Sequence, residues 1–252
     1  MVRPFMLRRT KLSVAPELPA KTETVYRIEL SAEERAIYEA IRLHAVNNAD
    51  TDEEGRIELL NSLLKLRQAC CHPSLVRDAE WESPLSSKVS ALLESLGECL
   101  PEGHRVLVFS SFVRLLEIVS RELNKRKIHH RMLYGATPTA RRREMVESFS
   151  KCEFPVFLIS LKAGGTGLTL TQADHVFHLD PWWNPAAEDQ ATDRSHRIGQ
   201  MNPVTVIKFV ARDTVEERVL ALHESKRELV SAVVDESGPG VPFSLQELRA
   251  LL

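Results

Sequence analysis

The sequence predicts an α/β protein whose parallel sheet is covered by helices on both faces. From residue 105 onward, short apolar runs typical of buried strands alternate with longer segments of helical periodicity. This alternation favours a parallel sheet, because a helix is the usual connection between parallel strands. A glycine-containing loop, Lys162–Gly167, directly follows one apolar run. In such sheets ligands bind at loops beyond the carboxyl ends of the strands.

Six strands and at least six helices are expected along the chain. The predicted strands are Thr24–Leu30, Arg105–Phe109, His129–Leu133, Pro155–Ser160, Asp174–Leu179 and Val204–Val210. The first predicted helix begins at Ser31 in a capping box with Glu34, the second ends at Cys71, and the third begins at Ser87. The fourth covers Phe112–Lys125, and the fifth covers Thr137–Phe149 with proline at the first helical position. The sixth covers Thr214–Val234 and is capped by Thr214, with Glu217 three residues on. Residues 77–87 are interpreted as a connector, and Ser244–Leu251 as a last short helix.

The composition indicates a globular protein with a substantial core. The chain has 252 residues, of which 43% are hydrophobic and 27% are charged. No apolar run is long enough to cross a bilayer, so no membrane association is expected. The four cysteines show no CxxC spacing, which predicts neither a zinc site nor a disulfide framework and fits a reducing compartment. The net charge of −2 means that nucleic-acid binding would depend on local basic patches.

Candidate functional residues are concentrated between Ile159 and Gln200. The glycines of Lys162–Gly167 allow the backbone to turn and to approach a phosphate closely. Two large aromatic residues follow in Asp180–Pro185, between prolines. If the start of Gln190–Gln200 is helical, its two arginines lie three residues apart on one helix face. Two guanidiniums on one face suit a triphosphate whose negative charge grows in the transition state.

These stretches resemble the last motifs of the Swi/Snf family of DNA-translocating ATPases, which have the superfamily-two helicase fold. Ser160–Leu170 is similar to the family pattern S-x-K-A-G-G-x-G-L-N-L. Asp180–Pro185 is similar to D-x-x-W-N-P, and Gln190–Gln200 to Q-A-x-D-R-x-H-R-x-G-Q. One departure is Thr169, where the family usually has asparagine.

The resemblance implies a RecA-like second lobe with an N-terminal helical protrusion and a C-terminal brace helix. Residues 1–30 are then an entry segment that arrives from a first lobe outside this sequence. Residues 31–84 form the protrusion and connector, and residues 85–211 form the RecA-like helicase C-terminal lobe. Residues 212–252 form the brace helix and tail.

The resemblance also implies roles for individual residues. Arg194 and Arg197 are expected to be arginine fingers that reach the γ-phosphate of ATP, with Gln190 as a third catalytic residue that orients the site. Gly165 and Gly167 are expected to bind nucleotide together with the two arginines. Sequence-tolerant contacts to the DNA backbone are expected from Ser110, Ser111, Lys162, Gly164, Gly165, Thr166 and Trp183. The basic runs 125–127 and 141–143 are interpreted as solvated helix faces.

The motifs that bind ATP phosphates and Mg²⁺ in this family are absent from the sequence. It contains neither a G-x-x-x-x-G-K-[ST] loop for phosphates nor a D-E-x-H-type box for Mg²⁺. ATP and Mg²⁺ are therefore expected to be held mainly by the first lobe, with no metal bound by this chain and no hydrolysis by this chain alone. The expected partners are double-stranded DNA and that first lobe. The expected location is intracellular: the cytoplasm or nucleoid of a prokaryote, or the nucleus of a eukaryote.

Three alternatives stay open at this point. The chain can be a lobe of another superfamily-two helicase, although the W-N-P and D-R-x-H-R-x-G-Q motifs argue against this. It can be a non-catalytic DNA-binding module, which duplex affinity without ATPase gain on adding a first lobe would favour. It can also be a nucleotide-sugar transferase lobe, which would leave the arginine pair unexplained.

Overall fold

A computed structural model gives the fold and describes residues 18–47, 53–76, 85–165, 167–232 and 250–252. The strands are β1 (Lys21–Ile28), β2 (Val106–Ser110), β3 (His130–Leu133), β4 (Val156–Ser160), β5 (His175–His178) and β6 (Val204–Ala211). The helices are α1 (Ala32–Asn47), α2 (Glu53–Cys71), α3 (Ser87–Cys99), α4 (Val113–Lys125), α5 (Thr139–Ser150), α6 (Pro185–Thr192) and α7 (Val215–Ala232). The predicted strands are all confirmed. Residues 77–84 of the predicted connector and most of the last predicted helix lie outside the described residues.

All six strands form one parallel sheet in the order β1-β6-β5-β2-β4-β3. The predicted α/β class and parallel sheet are therefore confirmed. Strand β1 lies in the predicted entry segment, pairs with β6 over its whole length and forms an edge of the sheet. The central strands β5, β2 and β4 are neighbours, so the loops that follow them meet at one edge.

The core has a separate layer on each face of the sheet. Strand β2 shows the division, because Val106 and Val108 join the cluster of α3 and α4. Leu107 and Phe109 face the other way and join the cluster of α5. Since β2 and β4 are buried on both faces, their apolar runs in the sequence are continuous rather than alternating.

Helices α1 and α2 lie in the segment expected to be the protrusion, and they pack against the start of α7. Tyr38 and Leu63 lie in this third cluster, and the Tyr38 hydroxyl accepts a hydrogen bond from the Val215 amide at 2.8 Å. Lys88 and Glu216 form a buried ion pair at 2.6 Å that connects α3 to α7. These contacts show that the protrusion, the sheet and the start of α7 share one packed interior.

Three predicted helix starts are at or near the expected residues. The capping box of α1 is confirmed, because Ser31 Oγ accepts from the Glu34 amide and Glu34 Oε2 accepts from the Ser31 amide. Pro138 is the N-cap of α5 rather than its first helical residue. The reciprocal bond at α7 is made one residue early, since Glu217 accepts from the amide of Asp213 instead of Thr214. Within the described residues, no helix has the length and apolar character needed to cross a membrane.

Candidate functional site

A cavity of about 270 Å³ opens beside the glycine loop, beyond the carboxyl ends of the central strands. It is lined by Gly167, Leu168, Gln190, Asp193, Arg194 and Arg197. Residues of two separate motifs thus meet in one space. Four of the five residues expected at the nucleotide line this cavity, and Gly165 lies on the short 3-10 helix beside it.

The expected helical spacing of the two arginines is wrong. Helix α6 ends at Thr192, so Arg194 and Arg197 lie in the turns that follow it. The turns are held by Gln200 Nε2, which donates to the Ser195 carbonyl at 3.1 Å and to the Ala173 carbonyl at 2.7 Å. The arginines face one cavity because of these turns, and not because of helical periodicity.

Arg194 is a buried cation, with 6% of its surface exposed. Within the described part of the chain, neither Nε nor Nη1 has a hydrogen-bond partner. Burial lowers the pKa of Arg194. A buried charge without partners is unfavourable for folding, so a group of this kind needs a functional explanation. Arg197, three residues on, is exposed at the rim of the same cavity.

The glycine loop begins as a short 3-10 helix, Leu161–Gly165, directly after β4. Ala163 is buried and its amide donates to Ser160 Oγ at 3.3 Å, whereas Lys162 is exposed. Gly167 has a φ of +29°, a conformation that residues with a Cβ rarely adopt. Gly164 belongs to the 3-10 helix, and Thr166 lies outside the described residues.

Arg142 is half-buried and connects two loops. Its guanidinium donates to the carbonyls of Thr137 and Gly135 at 2.9 Å each, and to Ala163 at 3.4 Å. The prediction that residues 141–143 only face solvent is therefore wrong for this position. Lys125 and Arg126, in the other basic run, pair with Glu122 on the surface of α4.

A second buried arginine joins the protrusion to the strand ends. Arg67 of α2 is 2% exposed, and its Nη2 donates to Asp180 Oδ2 at 3.0 Å and to the Pro181 carbonyl at 2.9 Å. Asp180 also accepts from the hydroxyls of Ser110 and Ser111. Ser110 is completely buried and its hydroxyl donates to Asp180. The DNA contact expected of this residue stays a prediction. Ser111 remains half-exposed.

Both tryptophans pack around this arginine. The Arg67 guanidinium carbon lies 5.2 Å from the Trp182 ring centroid and 5.3 Å from that of Trp183. Each ring is half-buried. The DNA contact expected of Trp183 stays a prediction, but its packing ties the D-x-x-W-N-P motif to the protrusion.

His178 lies beneath the site, at the end of β5, and is buried. Its Nε2 is 3.0 Å from Thr192 Oγ1, and Nδ1 has no hydrogen-bond partner among the described residues. Burial lowers its pKa, against the opposing effect of the Glu188 carboxylate. Glu188 in turn pairs with Lys208 at 3.0 Å. A neutral histidine therefore supports the last turn of α6.

Comparisons with known proteins point to one family. Residues 87–199 match the family described as "Helicase conserved C-terminal domain", and residues 1–75 match "SNF2-related domain". The chain is 38% identical to "Chromodomain-helicase-DNA-binding protein 1-like" of Danio rerio, over 94% of the chain and 24% of that protein. It is 36% identical to the human "SWI/SNF-related matrix-associated actin-dependent regulator of chromatin subfamily A member 1", over 94% of the chain and 24% of that protein. The chain thus spans about a quarter of the length of these relatives.

Two solved structures extend the likeness. The "Sulfolobus solfataricus SWI2/SNF2 ATPase C-terminal domain" is 30% identical, with a TM-score of 0.74, over 92% of this chain and 98% of that one. The "Sulfolobus solfataricus SWI2/SNF2 ATPase core in complex with dsDNA" is 33% identical, with a TM-score of 0.74, over 92% of this chain and 50% of that one. These likenesses confirm the RecA-like fold that the sequence motifs implied.

Proposed function

The chain belongs to the SWI2/SNF2 ATPase family as a C-terminal lobe, and from this membership we propose that it is the second motor lobe of an ATP-dependent double-stranded DNA translocase. The first lobe holds ATP and Mg²⁺, and this lobe completes the site from the other side of a cleft. Hydrolysis then alternates the cleft between closed and open, which moves the loops of the two lobes along the DNA backbone. The protein acts inside the cell, where its DNA is.

The observation that carries the proposal is Arg194, a buried cation that lines the cavity and whose Nε and Nη1 have no hydrogen-bond partner among the described residues. Nε and Nη1 are themselves buried, so an anion that enters the cavity from outside the chain would meet a cation whose charge has no counter-ion among the described residues. The γ-phosphate of ATP on the facing lobe is such an anion. Arg197 at the rim adds a second planar guanidinium with several N–H donors. Gln190 supplies a neutral amide, which is both a hydrogen-bond donor and an acceptor, beside the two arginines.

The arginines act mainly on the transition state of phosphoryl transfer. Charge spreads over the equatorial oxygens as the γ-phosphoryl group leaves, and guanidinium N–H groups placed there stabilise it. A finger of this type accelerates hydrolysis about 10³- to 10⁵-fold, or ~4–7 kcal/mol. Because the groups come from a second lobe, the rate depends on cleft closure.

The DNA contacts come from the neighbouring loops. Lys162 is exposed on the 3-10 helix, and Ser111 is half-exposed at the end of β2. Lys162 suits phosphate oxygens, as do the backbone N–H groups of Gly164 and Gly165, whereas the amide and hydroxyl of Ser111 donate to Asp180 and would have to be released to contact DNA. Contacts of this kind carry no base information, so binding is sequence-tolerant. The solved structure of the similar Sulfolobus core in complex with double-stranded DNA supports duplex as the substrate.

The test measures ATP hydrolysis by the full-length protein that contains this chain. Reactions are run without nucleic acid and with single-stranded DNA, duplex DNA or duplex RNA. The expected result is stimulation by duplex DNA that is lost in Arg194→Ala and Arg197→Ala, while DNA binding measured by fluorescence anisotropy is retained. Arg121→Ala, an exposed arginine on α4, is the matched control and is expected to keep full stimulation.

Two results would contradict the proposal. ATP hydrolysis that is not stimulated by DNA would contradict the proposed translocase. Binding of duplex DNA without any increase in ATP hydrolysis would favour the non-catalytic DNA-binding module. Substantial turnover by the purified chain without the first lobe would contradict the expectation that both lobes are needed.

A further inference from the structure

A cluster of two histidines and an aspartate lies at the amino ends of the strands, whereas the cavity lies beyond their carboxyl ends. His104 comes just before β2, and Asp174 and His175 lie at the start of β5. The two strands are neighbours, and Val106 is the register partner of His175. The length of the strands, roughly 15 Å, therefore separates the cluster from the loops at their carboxyl ends.

The backbone fixes the positions of these three residues. The amides of Asp174 and His175 both donate to the Arg105 carbonyl at 3.2 Å. In return, the Arg105 amide donates to Asp174 Oδ1 at 3.1 Å. The first residues of the two strands are thus held to each other before any side chain is considered.

The side chains converge on one point. The Asp174 carboxylate lies between the imidazoles, with Oδ2 2.9 Å from His104 Nδ1 and Oδ1 2.9 Å from His175 Nδ1. One potential ligand atom from each residue lies within 4.8 Å of the other two. Movements of under ~1 Å would bring such atoms to the ~2.0–2.2 Å of zinc–nitrogen and zinc–oxygen bonds. Glu102 Oε2, 3.4 Å from His104 Nε2, offers another oxygen nearby.

Burial at the cluster is intermediate. The side chains of Asp174 and His175 are 12% and 14% exposed, and that of His104 is 35% exposed. An ion can therefore enter from solvent on the His104 side, while the other two ligands are already ordered by the sheet.

We propose that His104, Asp174 and His175 form a binding site for one divalent transition-metal ion, with Zn²⁺ as the best-fitting ion. Two imidazoles favour zinc, cobalt or nickel over Mg²⁺ and Ca²⁺, which prefer oxygen ligands. Water or Glu102 completes the coordination. Because imidazole nitrogens must be unprotonated to bind a metal, the ion displaces the protons now shared between the carboxylate and the rings. The bound ion joins the amino ends of β2 and β5.

This site is separate from the motor chemistry. It lies far from the cavity, so it takes no part in phosphoryl transfer, and it does not depend on the proposed function. Cysteine spacing in the sequence gave no sign of it, because its ligands come from two strands some 70 residues apart.

The first experiment is isothermal titration calorimetry of the purified chain with ZnCl₂. One Zn²⁺ per chain is expected, and His104→Ala and His175→Ala are each expected to weaken binding by at least about tenfold. His129→Ala, an exposed histidine before β3, and Cys152→Ser, an exposed thiol, are the controls and are expected to bind normally. MgCl₂ is expected to give no saturable heat at this site.

A second measurement needs no substitution and so does not depend on whether variants fold. X-ray absorption at the zinc edge of the loaded protein is expected to show two imidazole ligands with oxygen completing the shell. Absence of saturable Zn²⁺ binding would overturn the proposal. So would sulfur in the zinc shell, or binding that is unchanged in a His104→Ala/His175→Ala double variant.

Discussion

Arg67 and Arg194 are both buried, on the same side of the molecule, yet their surroundings differ. Arg67 has a carboxylate, a carbonyl and a hydroxyl within hydrogen-bond distance and aromatic rings around its guanidinium. Arg194 borders an open cavity, and two of its nitrogen atoms have no partner in the described part of the chain. The partners of Arg67 are inside the fold, whereas we propose that those of Arg194 are supplied by a ligand.

The comparison separates stability from activity. Removal of one member of a buried ion pair leaves the other charge buried without a counter-ion, which destabilises a protein strongly. Removal of an unsatisfied buried charge relieves a desolvation penalty and leaves no charge behind. The same type of substitution should therefore have opposite consequences at the two positions.

The largest expected effect is on catalysis at Arg194. In the full-length protein, Arg194→Ala should lower DNA-stimulated kcat by about 10³-fold or more, because the transition-state contact is lost. Arg194→Lys should restore little, since lysine lacks the planar fork. The free energy of unfolding, measured by urea denaturation of the chain, should stay the same or rise. A clear loss of stability would instead make Arg194 a structural residue like Arg67.

The next effect is on stability at Arg67. Arg67→Ala should lower the free energy of unfolding by about 3–5 kcal/mol, because Asp180 is left buried without its cation. Urea denaturation measures this directly. Arg121→Ala should change stability by no more than about 0.5 kcal/mol, as expected for an exposed position. An equally small effect at Arg67 would mean that the hydroxyls of Ser110 and Ser111 suffice for Asp180.

Arg142 lies between these extremes, because it is half-buried and its partners are neutral carbonyls. Arg142→Ala should lower the free energy of unfolding by about 1–3 kcal/mol, the penalty for carbonyls that lose their donors. The glycine loop also loses its contact at Ala163, so hydrogen exchange of the amides of residues 161–165 should become faster. The exposed neighbour Arg143→Ala is the control and should change neither quantity.

The smallest effect is a pH dependence at His178. Burial lowers its pKa below the usual 6.5, so the folded state resists protonation. Above pH 6.5 both states are neutral and stability is complete. As the pH falls below 6.5 the unfolded state takes up the proton first, and stability declines by at most ~1.4 kcal/mol per pH unit for this one group. His178→Gln should flatten that part of the curve, and the exposed His129→Gln should leave it unchanged.

Local sequence patterns were sufficient to predict the strands and helices, but not the distant residues that their side chains contact. The strands β2, β4 and β6 were predicted closely because each is a short apolar run with clear ends. The cavity residues were expected from motifs, yet the helical geometry was wrong, because the turns after Thr192 depend on Gln200 and the distant Ala173 carbonyl. The buried hydroxyl of Ser110 could not be foreseen, because Asp180 lies 70 positions away.

Arg67 was missed, although the sequence carried a signal. It lies in a helix whose buried stripe includes Leu63, Leu66 and Cys70, so an arginine at this spacing is on the apolar side. Charged residues on such a side are rarely buried unless they are paired. The sequence could therefore have indicated a buried ion pair, but not its partner, which is 113 positions away.

The position of β1 at the edge of the sheet has a consequence for synthesis. Lys21 pairs with Val204, so the two strands are 204 − 21 = 183 positions apart. At roughly 5–20 residues per second, a ribosome needs about 10–40 s to make β6 after it has made β1. During that time β1 has no neighbouring strand with which to pair. Its charged residues Lys21, Glu23 and Arg27 discourage pairing with another nascent chain, as charges do on exposed strand edges.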